Sequence, residues 1–107
     1  MKIIRKPKVL WWTRHARAKM RFYRLSEQRI KRVIHSPKRI ETGIAEGTIA
    51  MLQSAGSKKH PCEIWAMIVE EKNRRKIISA WRYPGMTKAG DSLPKEILEE
   101  LNQIVVD

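Results

Sequence analysis

Ile64-Trp65-Ala66-Met67-Ile68-Val69 is apolar at all six positions. An apolar run of this length between polar flanks predicts a central strand covered on both faces. Three further segments around it share its texture. Residues 39–44, 48–53 and 76–83 are short, rich in β-branched residues and set apart by Gly, Lys, Asn or Pro, as is the longer strand 63–71 that contains the apolar run. The breaks at 45–47, 54–61 and 72–75 suit hairpins, so four strands in an antiparallel meander are the simplest topology. Tyr83-Pro84-Gly85 ends the sheet. Beyond a loop at 86–93, Pro94 opens a predicted helix that turns Ile97, Leu98, Leu101, Ile104 and Val105 inward.

Ahead of the strands the periodicity is helical. Thr13 is a natural N-cap, and Trp12, Ala16, Met20 and Tyr23 recur on one face of a helix running to Arg24. Arg14, Arg17, Arg21 and Arg24 recur at the same period and form a second stripe beside that face. Leu25-Ser26-Glu27 starts another helix: Ser26 caps it, Glu27 sits at its positive end, and Leu25 can staple against Ile30. Ile30, Val33 and Ile34 give it an apolar face, and Ser36-Pro37 stops it. The short run Lys8–Trp12 is either a strand or a staple for the first helix. The expected fold class is therefore α+β, with two N-terminal helices, a four-stranded antiparallel meander sheet and a C-terminal helix.

A chain of 107 residues, 42% hydrophobic and 32% charged, fits one globular domain spanning residues 1–107. No apolar run approaches the ~20 residues of a membrane span, and the basic start lacks a signal-peptide core. One cysteine, Cys62, excludes an intrachain disulfide, and His15, His35 and His60 have no zinc-ligand spacing. These features point to a cytoplasmic protein with no metal, cofactor or membrane partner. The net charge is +12, and its placement matters more than its size: residues 1–40 carry fourteen Lys or Arg against Glu27 alone, while residues 41–107 are close to neutral. Positive charge segregated in this way attracts polyanions, so RNA is the expected partner.

His15-Ala16-Arg17-Ala18-Lys19-Met20, then Leu25-Ser26-Glu27, a helix ending near Pro37, and Lys76-Ile77-Ile78-Ser79-Ala80 resemble an uncharacterised domain family related to the BrnT toxin and, through it, to the RelE-like ribonuclease toxins. The likeness spans roughly residues 13–83. It implies a RelE-like antiparallel sheet flanked by helices, metal-independent RNA endonuclease activity of the toxin-antitoxin type, and a cognate antitoxin protein over the basic face. The chain departs from the family where Trp81 follows Ala80 and arginine comes one residue later, at Arg82. It departs again in a C-terminal segment that is acidic at Glu96, Glu99 and Glu100.

Metal-free RNA cleavage needs a base for the 2′-hydroxyl proton, cations on the phosphate and an acid for the leaving oxygen. His15 is the leading base or acid because histidine as a residue type titrates near neutrality; its alternative is a bond to a backbone group or to phosphate. Arg82 can clamp a phosphate, and Tyr83 can donate a proton, stack on a base or simply close the core. Arg14, Arg17, Arg21 and Arg24, with Lys19, are the expected RNA contacts, since a guanidinium grips phosphate bidentately and stays charged. The alternative reading is a non-catalytic nucleic-acid-binding or protein-interaction module. Trp65 and Trp81 are expected to pack as a cross-strand pair.

Overall fold

The computed structural model describes residues 8–42 and 47–90. It contains β1 (Val9–Trp12), α1 (Arg14–Tyr23), α2 (Glu27–His35), β2 (Arg39–Thr42), β3 (Thr48–Gly56), β4 (Pro61–Glu70) and β5 (Arg74–Pro84). The α+β class holds, and β2 to β5 pair antiparallel in succession. The sheet nevertheless has five strands in the order β1-β5-β4-β3-β2, and β1 lies parallel to β5. The expected four-stranded, wholly antiparallel sheet is thus corrected to a mixed one. The short run Val9–Trp12 satisfies the open edge of β5 from Arg74 to Ile77. A parallel neighbour needs a long crossover, and here α1, α2 and three strands supply it. The expected C-terminal helix lies outside the described residues, as do positions 43–46, where the first strand was expected to end.

Both helix starts follow their sequence signals. The Thr13 hydroxyl accepts from the Ala16 amide at 3.0 Å and donates to the Ile77 carbonyl at 3.0 Å, so one buried side chain caps α1 and ties it to β5. The Ser26 hydroxyl accepts from the Arg29 amide and caps α2. Between the helices, the Leu25 amide bonds back to the Met20 carbonyl at 2.7 Å while Arg24 takes a left-handed conformation, φ 58°. This is a Schellman ending with arginine where glycine would be relaxed.

The sheet buries both faces. Toward the helices, Ile64, Ala66, Ile68, Ile77 and Ala80 pack with Ala16, Met20, Leu25, Ile30, Val33 and Ile34. On the opposite face, Ala50, Leu52, Trp65, Met67, Ile78 and Trp81 form a second cluster. The apolar run Ile64–Val69 lies in the central strand β4, as expected, with residues 64–68 all buried. Trp65 and Trp81 face each other in register and stack at 5.4 Å. On this second face Glu63, only 2% exposed, accepts from Trp65 Nε1, from the Thr87 hydroxyl and from the Thr87 amide. The Arg39 guanidinium donates to the Thr87 carbonyl and hydroxyl, and pairs with Glu41. The chain after β5 is thereby fastened across the sheet.

One irregularity sets the phase of β5. Ile68 pairs with Ile77 and Met67 with Ser79, leaving Ile78 as an extra residue. Beyond this bulge, alternation brings Ala80 and Arg82 to the helix side and Trp81 and Tyr83 to the other.

Candidate nucleic-acid interface

The arginine stripe of α1 is exposed along its length: Arg14, Arg17, Arg21 and Arg24 all face solvent. They are not equivalent. Arg17 Nη1 pairs with Glu27 Oε2 at 2.9 Å, and its guanidinium carbon lies 6.0 Å from the Trp12 ring centroid. Much of its charge is thereby answered within the protein. Arg21 and Arg24 have no carboxylate partner among the described residues. Phe22 between them is 73% exposed, and the Lys19 ammonium sits 5.3 Å from its ring centroid. An exposed phenyl ring touched by an ammonium, with Arg21 and Arg24 close by in the chain, suits a nucleotide, with the base on the ring and the phosphate on the cations.

The free positive charge thus gathers where α1 ends rather than along the whole helix. At that end the sheet adds more. Gln53, Ile64 and Arg82 lie in one row across β3, β4 and β5. Arg82 reaches up to the end of α1, donating from Nη2 to the Tyr23 carbonyl at 3.2 Å, and its Nη1 lies 4.0 Å from Cys62 Sγ. A cation there also complements the negative pole of α1. Arg29 descends from α2 and donates to Gln53 Oε1 at 2.6 Å. The Gln53 amide nitrogen in turn donates to the Arg32 and Ser36 carbonyls, capping the end of α2. Partial burial first, and then the neighbouring Arg32 and Arg82 guanidinium groups, hold Arg29 below its ordinary pKa. Lys38, hydrogen-bonded to the Ser54 hydroxyl, and the exposed Lys58, Lys59 and His60 of the β3–β4 turn extend the basic surface.

The three residues expected to carry chemistry do not converge. His15 is half-buried in the first turn of α1, while Arg82 binds the carbonyl at its last turn. Eight residues of helix separate these ends, roughly 12 Å at the α-helical rise. Tyr83 points to the opposite side of the sheet from Arg82, paired in register with Glu63 and packed on the second apolar cluster. It closes the core. Arg29, Arg32 and Gln53 are the contributors that sequence reading missed. Arg29 and Arg32 sit three apart on α2, and Gln53 ends the strand segment expected there, so the periodicity was visible. What periodicity does not show is which stretch of strand lies beneath the helix.

Among the described residues, no three His, Cys, Asp or Glu side chains come together as a metal site, and no helix is long and apolar enough to cross a membrane. No family model, curated protein or solved structure matches the chain.

Proposed function

We propose that this protein binds single-stranded RNA at the end of the molecule where α1, α2 and the β3–β4 turn meet. The observation that carries this reading is the exposed Phe22 between Arg21 and Arg24, neither of which has an acidic partner among the described residues. A base stacked on Phe22 leaves its neighbouring phosphates to the long, exposed Arg21 and Arg24 side chains, and the exposed lysines of the β3–β4 turn lengthen the track. Binding is favoured over the cleavage that the toxin resemblance implies. A base, a phosphate clamp and an acid must meet at one phosphate, whereas His15, Arg82 and Tyr83 lie at opposite ends of α1 and on opposite sides of the sheet.

Fluorescence polarisation of a labelled single-stranded RNA between 50 and 200 mM salt tests the proposal. The affinity is expected to fall steeply with salt and to weaken when Arg21 and Arg24 are both changed to Gln. Binding indifferent to salt would refute it. RNA cleaved by the folded protein but left intact by His15→Ala would replace binding with the ribonuclease reading.

A further inference from the structure

Arg29 over Gln53 and Arg82 beside the Tyr23 carbonyl lie on the helix side of the sheet, near enough with Arg32 for the two neighbouring charges to lower the pKa of Arg29, and no carboxylate among the described residues pairs with any of the three. Arg29 is held by the neutral amide of Gln53, Arg82 by the Tyr23 carbonyl, and Arg32 makes no side-chain ion pair. Cys62 Sγ lies 4.0 Å from Arg82 Nη1. Like charges assembled around neutral acceptors repel one another, and a bound anion relieves that repulsion. The arrangement is also well supported. Gln53 and Arg82 flank Ile64 in one row, roughly 10 Å apart at the usual strand spacing. Arg29 and Arg32 come from a capped helix above them. Among the described residues, Arg29 and Arg82 use only part of their guanidinium forks and Arg32 uses none of its own.

We propose that Arg29, Arg32 and Arg82 form a pocket for the terminal phosphate of an RNA strand, an inference that rests on the RNA reading above. An internal phosphodiester carries one charge. A terminal monoester carries about 1.5 to 2 near pH 7, with three acceptor oxygens that suit several guanidinium forks at once. The pocket adjoins the stacking surface, because Arg82 binds the carbonyl of Tyr23, the residue next to Phe22. A strand seated with its end phosphate in the pocket lays its terminal base toward that ring. This continuity favours an RNA end over a phosphorylated peptide.

The test compares one single-stranded RNA made with a 5′-phosphate, with a 3′-phosphate and with hydroxyls at both ends, using the full chain. One phosphorylated form is expected to bind about tenfold or more tightly than the hydroxyl form, the effect of a hydrogen-bonded charge. The ratio should collapse toward one in Arg29→Gln and in the double variant with Arg82→Gln, and shrink from pH 7.5 to pH 5 as the monoester loses its second charge. Equal affinity of all three RNAs for the unaltered protein overturns the inference while leaving salt-dependent RNA binding intact. A ratio that survives the double variant overturns it as well. Should none of the RNAs bind, the functional reading falls, and adenosine 5′-monophosphate judges the pocket alone. Chemical-shift changes at Arg29 and Arg82 with the nucleotide but not with adenosine support the pocket, and identical spectra overturn it. Stronger binding of a phosphoserine peptide than of the nucleotide overturns the choice of RNA. Arg29 is only partly buried on a helix, so its variant should keep the near-ultraviolet circular dichroism of the folded protein even if loss of Arg82 does not.

Discussion

Arg24→Gly should make the protein more stable and worse at binding RNA. Arg24 ends α1 in the left-handed region, φ 58°, with its amide bonded back to Arg21 and the next amide to Met20. An L-residue pays roughly 1–2 kcal/mol for that conformation. Glycine adopts it freely but gives up roughly 0.5–1 kcal/mol through the greater freedom of its unfolded chain. The difference is a net gain of about 0.5–1 kcal/mol, or a melting temperature higher by roughly 3–6 °C for a domain of this size. The same change removes one guanidinium from the proposed RNA track. Each phosphate contact on a single strand contributes about 0.7 to the slope of log affinity against log salt. Losing one contact therefore shrinks the affinity drop between 50 and 200 mM salt by roughly 2.5-fold. Thermal melts and polarisation titrations at the two salt concentrations measure both effects. Arg24→Ala is the control: it removes the charge but keeps a side chain in the left-handed region, so affinity falls without the gain in stability. An Arg24→Gly protein with an unchanged salt slope would show that this guanidinium touches no phosphate. One that melts no higher would show that the backbone stores no strain there.

Other perturbations separate the parts of the surface. Glu27→Gln releases Arg17 from its 2.9 Å pair; because both partners are well exposed, stability should change by no more than about 1 kcal/mol, while the salt slope for RNA steepens by about 0.7. Phe22→Ala should leave the melting temperature nearly unchanged, since the ring is 73% exposed, yet cost about 1–3 kcal/mol of RNA affinity if a base stacks on it. Thr13→Val removes the α1 cap and the hydroxyl bond to Ile77, although the Thr13 amide still serves that carbonyl. A loss of about 2 kcal/mol and a melting temperature lower by about 10 °C are expected, with Thr13→Ser restoring most of it.

What the sequence disclosed was local. The caps at Thr13 and Ser26, the stop at Ser36-Pro37 and the apolar run at Ile64–Val69 all depend on neighbours a few residues away, and each sits where periodicity put it. The fifth strand was not decidable in this way. Four residues of β1 have no partner within sixty positions, and only the edge of β5 makes them a strand. The site divided along the same line. The exposed stripe of α1 followed from its spacing, but the pairing of Arg17 with Glu27 depends on how two helices lie together. That Arg82 lies on the same side of the sheet as Arg29 depends on strand register. Charge counted along the chain marked the whole stripe of α1 and could not show that Arg17 is paired.

Strand register also explains why a single residue in β5 matters to the proposed site. Strict alternation from Ile77, which faces the helices, would send Ser79, Trp81 and Tyr83 toward α1 and leave Arg82 in the second apolar cluster. There a guanidinium would be buried among tryptophans at a cost of several kcal/mol. The extra residue at Ile78 reverses the phase, so both tryptophans stack on the far side and Arg82 emerges beside the Tyr23 carbonyl. Deleting Ser79 removes the bulge without moving the residues beyond it: Ile78 falls opposite Met67, and Ala80, Trp81 and Arg82 keep their partners. The shortened protein should therefore fold, lose some local twist, and keep the preference for a phosphorylated RNA end that depends on Arg82. Inserting an alanine after Ala80 should do the opposite. It shifts Trp81 and Arg82 by one step, so either the two tryptophans part or a second bulge forms. Circular dichroism together with the ratio of affinities for phosphorylated and hydroxyl-ended RNA distinguishes the outcomes. A folded insertion variant with its phosphate preference intact would show that the phase of β5 does not place the arginine.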